Sequence, residues 1–90
     1  MEQINALKQF GLSEQEAQTY LALLKIGGSR ASVLAKEIGL KRTTVYPILK
    51  SLSEKGAVLV YFKKNQRFYY AQKPNKLAAL FEKKLEFFNS

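Results

Sequence analysis

Arg42, Thr43, Thr44, Tyr46 and Lys50 crowd one side of a single helical stretch, and their side chains suit them to recognising a polyanion. An arginine fork matches both a phosphate and the major-groove edge of guanine. A threonine offers a hydroxyl together with a methyl that fits against thymine. Wound at about 100° per residue, Val45, Ile48, Leu49 and Leu52 gather on one face, while Thr43, Pro47 and Lys50 fall opposite, flanked by Arg42, Thr44, Tyr46 and Ser51. One face is built to pack, and the other can be offered to a DNA groove. With the preceding Ile38-Gly39-Leu40-Lys41, the segment reads as the turn and second helix of a helix-turn-helix.

The chain has no Cys, His or Asp. Disulfides and the nitrogen and sulfur ligands of zinc are therefore excluded, and no acidic residue lies near a hydroxyl or lysine in the pattern of an acid/base pair. The expectation is a non-enzyme with no catalytic residues, no metal and no cofactor. No apolar run approaches the roughly eighteen residues of a membrane span and no signal peptide opens the chain, so a cytoplasmic protein with no membrane partner is expected.

The formal charge of +8 is concentrated. From Arg30 to Lys76 there are eleven basic residues against only Glu37 and Glu54, while the flanks are about neutral. A basic block coinciding with the helix-turn-helix points to double-stranded DNA as the partner of one part of the fold, leaving the ends for another task.

The positioning elements follow from periodicity. A short first helix over Glu2 to Phe10 stops at Gly11. Ser13 and Glu16 have capping-box spacing, with Leu12 placed to staple on Ala17, and open a second helix that ends at Gly27-Gly28. A third helix spans about Ala31 to Ile38, with Arg30 at its poorly capped start. The fourth runs from about Lys41 to Lys55, and Pro47 inside it predicts a slight bend, convex on the exposed face. After Gly56 the period changes to two. Strands are expected near Ala57 to Phe62 and Arg67 to Ala71, joined by Lys63-Lys64-Asn65-Gln66, a basic wing able to lie on a phosphate backbone or dip into a minor groove. Val58, Val60, Tyr69 and Ala71 suit the core face. Leu59, Tyr61, Phe68 and Tyr70 make the other face apolar too, which calls for cover by the last helix or by a partner.

Pro74 opens a last helix to about Phe88, striped by Leu77, Leu80, Phe81, Leu85 and Phe88. With Lys84 beside it, this stripe is assigned to a homodimer interface. The architecture is thus mainly α with a small β-wing, a winged helix-turn-helix over residues 1–73 followed by a C-terminal dimerisation helix over 74–90. The uncapped end at Asn89-Ser90 reads as the front part of a longer protein.

Phe10-Gly11-Leu12-Ser13-Glu14-Gln15-Glu16-Ala17, Tyr20-Leu21-Ala22-Leu23-Leu24, Arg42-Thr43-Thr44-Val45-Tyr46, Glu54-Lys55-Gly56 and Tyr69-Tyr70-Ala71 near Pro74 resemble the N-terminal domain of TrmB-family transcriptional regulators. The resemblance implies operator binding as a dimer, with Arg42, Thr43, Thr44 and Tyr46 at the DNA-facing start of the recognition helix and Lys63 to Arg67 as the wing. Many members carry a C-terminal sugar-binding domain, to which none of these residues corresponds. Pro47 departs from the ordinary helix former that the family has there. The full expected DNA contact set is Arg30, Lys41, Arg42, Thr43, Thr44, Tyr46, Pro47, Lys50, Lys63, Lys64, Asn65 and Arg67. The competing reading is a winged-helix module that binds protein through the aromatic sheet face and the last helix.

Overall fold

A computed structural model describes the backbone of residues 2–89 and the side chains of residues 3–82. The element order is α1 (Glu2–Gln9), α2 (Glu14–Ile26), α3 (Ala31–Ile38), α4 (Arg42–Glu54), β1 (Val58–Lys63), β2 (Gln66–Ala71) and α5 (Pro74–Asn89). Five helices and a two-stranded antiparallel sheet make an α+β winged helix.

The helix boundaries are set by local chemistry. Ser13 Oγ accepts the Glu16 backbone N–H at 3.1 Å, and Glu16 Oε1 accepts that of Ser13 at 2.7 Å, closing the capping box of α2. Leu12 and Ala17 are both buried, as a hydrophobic staple requires. α3 starts at Arg30 without a side-chain cap. Gly39 then ends it at φ 72°, a left-handed conformation that glycine adopts without strain and that turns the chain into α4. α4 runs unbroken through Pro47, although a proline has no N–H to donate to the carbonyl of Thr43.

Val45, Leu49 and Leu52 of α4 are fully buried with Leu23 and Tyr20 of α2, Leu34 of α3 and Val58 of β1. The expected apolar stripe of α4 is therefore the seam that fixes its outer face. Truncating a leucine at such a site to alanine costs about 2–5 kcal/mol. Tyr20 is held further by its hydroxyl, which donates to the Gln72 carbonyl at the end of β2, and burial raises its pKa above the ordinary phenol value.

The hairpin pairs Val58 with Ala71 through to Lys63 with Gln66. Its turn is only Lys64-Asn65, with φ of 51° and 63°. Two successive left-handed residues define the type I′ turn, whose twist matches paired strands. The four-residue link expected from the sequence is therefore two residues long, because Lys63 and Gln66 join the ladder. Ser29 adds a one-residue third strand, exchanging backbone hydrogen bonds of 2.9 and 2.8 Å with Tyr69.

The described side chains of α5 pack away from the outer sheet face. Leu77 is buried in the chain's own core, Phe81 lies 5.0 Å from Phe10, and Leu80 lines the same small cleft as Phe10, Gly11 and Lys55. On the outer face, Tyr70 sits over Gly28, where an added Cβ would come within 2.2 Å of its ring, and Tyr61 meets Tyr70 edge-on at 5.3 Å. Tyr61 nonetheless stays 54% exposed. Of the two covers expected for this face, the last helix does not supply one through its described side chains, residues 74–82.

Candidate nucleic-acid interface

Every α4 residue assigned to DNA, namely Arg42, Thr43, Thr44, Tyr46, Pro47 and Lys50, is exposed, as is Lys41 just before the helix. The core stripe on the opposite side of α4 causes this, since burying Val45, Ile48, Leu49 and Leu52 leaves these side chains facing out.

Alternation along the hairpin then builds a wall opposite α4. The inner-face residues Val58 and Tyr69 are buried at the root, but the same face continues past the core to Phe62 and Arg67, which are cross-strand partners. Between this wall and α4 runs an open groove of about 960 Å³, lined by Thr43, Tyr46, Pro47, Lys50, Phe62 and Arg67 among others. A second cleft of about 490 Å³ adjoins it and shares Tyr46, Phe62, Arg67 and Tyr69. Arg30 from the start of α3, Arg42 from the start of α4 and Arg67 from β2 all line that second cleft, and no carboxylate does.

Arg67 is the best-held of the three. Its guanidinium lies 5.6 Å from the centre of the Phe62 ring, and Nη1 lies 3.4 Å from Tyr69 Oη. Arg30 Nη1 reaches Gln66 Oε1 at 3.4 Å, a weak tie between α3 and the wing. The structure thus brings Arg30, Arg42, Thr43, Tyr46, Pro47, Lys50, Asn65 and Arg67 into the two clefts. Lys41, Thr44 and Lys64 are exposed outside the lining, and Lys63 lies with Tyr61, Phe68 and Tyr70 along the outer sheet face.

Five residues lining the second cleft, Ala31, Ser32, Phe62, Gln66 and Tyr69, were absent from the expected DNA contact set, Tyr69 having been assigned to the core face. Extending the Val58, Val60 alternation by one step would have found Phe62. Gln66 already stood in the expected wing segment, and Ser32 gave no signal. Of the dimer set, Leu77 faces this chain's own core and Phe81 packs on Phe10, Leu80 is 40% exposed, and Lys84, Leu85 and Phe88 lie outside the described side chains.

Two members of the α4 segment turn inward. Lys55 Nζ lies 2.7 Å from Glu16 Oε1 and donates to the Gly11 carbonyl at 2.9 Å, while the Ser51 hydroxyl donates to the second Glu16 oxygen. Burial alone would raise the Glu16 pKa. Hydrogen bonds from Lys55, the Ser13 N–H and Ser51, with the Lys55 charge, overcome it and hold the carboxyl at about 2. This is the one ion pair among the described residues, so Lys55 leaves the basic surface. Among the described residues no group of acids could hold a metal, and no helix is long and apolar enough to cross a membrane.

Comparison with known proteins bears on the fold and the family. The HTH-type sugar sensing transcriptional regulator TrmBL1 of Pyrococcus furiosus is 44% identical over 55 residues, which are 61% of this chain and 16% of that protein. The archaeal chromatin protein TrmBL2 superposes with a TM-score of 0.82 at 24% identity, over 94% of this chain and 33% of its own. A possible transcriptional regulator from Methanosarcina mazei Go1 gives 0.74 at 16% identity, over 89% of this chain and 72% of its own. The chain thus spans about a sixth of the curated relative and a third of TrmBL2. The family model described as the sugar-specific transcriptional regulator TrmB matches residues 7–75, so this winged-helix chain belongs to the TrmB family of transcriptional regulators.

Proposed function

We propose that this domain binds double-stranded operator DNA, with α4 as the recognition helix and the hairpin as its wing. The observation that carries this reading is the convergence of Arg30, Arg42 and Arg67, from three separate elements, on a cleft with no lining carboxylate. Unpaired guanidinium groups held together repel one another, and a phosphate strand would relieve that repulsion.

In this reading the exposed side of α4 enters the major groove. Arg42 reads guanine or clamps a phosphate, Thr43 and Thr44 contact phosphate or a thymine methyl, and Tyr46 and Lys50 hold the backbone. Lys41, Lys63, Lys64 and Asn65 add contacts at the margins. Two copies paired through α5 would place two such helices about one helical turn apart on a roughly palindromic site. The domain would act in the cytoplasm as the DNA-reading part of a regulator, with no catalytic chemistry.

Fluorescence anisotropy on a random-sequence duplex at several salt concentrations tests this. Log affinity should fall against log salt with a slope of about −4 to −6, the signature of roughly five or six neutralised phosphates. No binding even at low salt overturns the reading. The exposed Tyr61 and the uncovered outer face would then favour a protein-binding module instead.

A further inference from the structure

We infer that the cross-strand pair Phe62 and Arg67 is a second sequence-reading element, distinct from α4, and that the lysines near the wing tip supply charge alone. The inference rests on the duplex-binding reading and specifies what the wing adds to it.

Four observations point the same way. Phe62 is 72% exposed, yet it belongs to the inner sheet face, where Val58 and Tyr69 are in the core. The ring therefore stands beyond the core, over the groove that α4 opens. Arg67 is restrained on two sides, by the Phe62 ring at 5.6 Å and by the hydroxyl of the buried Tyr69 at 3.4 Å. A guanidinium with two such long contacts is biased toward one orientation, which suits a directional contact to a base edge better than a diffuse attraction to phosphate. Lys63 and Lys64, by contrast, have no side-chain hydrogen bond among the described residues. Finally, both clefts share Phe62 and Arg67, so the pair sits where a strand leaving α4 must pass.

An apolar ring and an oriented arginine together can do what a lysine cannot. The ring buries against a thymine methyl, a sugar or an opened base step, and the fork reads acceptors at the groove edge. The preferred site should therefore extend beyond the bases contacted by α4.

The test is selection of a preferred duplex by the wild-type protein, followed by affinities for that duplex and for a random one. Phe62→Ala and Arg67→Lys should each lower the ratio of the two about tenfold, with the loss confined to positions flanking the α4 contacts. Phe62→Tyr, which keeps the ring, should restore most of the ratio. Lys64→Ala should weaken both duplexes alike and keep the ratio. Thermal melts within a few degrees of wild type establish that the variants fold, as an exposed Phe62 allows. Variants that keep the wild-type ratio overturn this inference alone, whereas wild-type protein that binds no duplex overturns the operator reading with it.

Discussion

At the C-terminal end of α4, Lys55 lies 2.7 Å from Glu16, whereas five positions earlier Lys50 lines the groove and, although Glu54 lines it too, makes no ion pair among the described residues. The two lysines are the same residue type, one within α4 and the other its C-cap. Their difference comes from what the fold places opposite them. Glu16 is fixed by its own capping box at the start of α2, which sets a charge against one end of α4 only. The other end, with Arg42, Thr43, Tyr46 and Pro47, faces hairpin residues that carry no acid. The helix is thereby anchored at one end and available at the other. Basic residues in a sequence are not yet a charged surface; the fold decides which of them keep their charge unpaired.

Glu16→Ala should break the anchored end and give the largest effect. It removes half of a capping box and the acceptor of Lys55 and Ser51, so a loss of about 2–4 kcal/mol is expected, and about 10 °C or more in Tm for a domain of this size. Urea and thermal melts check it. The same group makes stability depend on pH in a defined direction. Since its folded pKa is held at about 2, below the ordinary 4.5, its contribution is fully present above pH 4.5 and is lost as pH falls toward 2. The shift sets a ceiling of about 3 kcal/mol, reduced because Lys55 is about a third exposed. In Glu16→Gln this acid-side slope should flatten; an unchanged slope would remove Glu16 from the account.

Arg42→Ala attacks the available end. A loss of about 1–3 kcal/mol in binding a selected duplex, with relaxed preference at one base position, is expected, and the melting temperature should stay within the small range of surface changes. Equal weakening on every duplex would make Arg42 a phosphate contact.

Exchanging the two lysines for alanine one at a time gives the sharpest contrast. Lys50→Ala should reduce the salt slope of DNA binding by about one with stability changed by less than about 0.5 kcal/mol. Lys55→Ala should do the reverse, costing about 1–2 kcal/mol of stability through the lost charged hydrogen bonds while the slope holds. Matching effects from both would erase the distinction between the ends.

How much of this was legible depended on the range of the interaction. The Ser13 and Glu16 box, the Val45, Ile48, Leu49, Leu52 seam and the exposure of Arg42 to Lys50 follow from spacings of three and four, which a sequence displays directly. The union of Glu16 with Lys55 and Ser51 did not, because it joins residues 35 and 39 positions apart. Counted from the sequence, Lys55 belonged to the basic block and Ser51 to the outer face; the packing of α2 on α4 moved both. The wing erred by one residue at each strand end for a local reason. Lys-Asn is an uncommon pair for a turn that needs two left-handed residues, so the polar run looked like a longer link. The direction of α5 was hidden because its stripe fits equally a core, a sheet face or a partner.

The tip of the hairpin offers the smallest effect and the most discriminating one. Lys64 holds φ at 51°, a conformation that a residue with a long side chain enters at a cost and that asparagine tolerates better. Lys64→Asn should therefore stabilise the hairpin by about 0.5 kcal/mol, read as a rise of a few degrees in Tm. The same substitution removes a cation from the wing, so the salt slope should fall by up to one. Opposite signs in the two measurements would mean that the native residue holds a strained turn for the sake of its charge, as expected at an available surface. A rise in Tm with no change in slope would place Lys64 outside the DNA footprint, and would leave Arg67 to carry the wing's contact by itself.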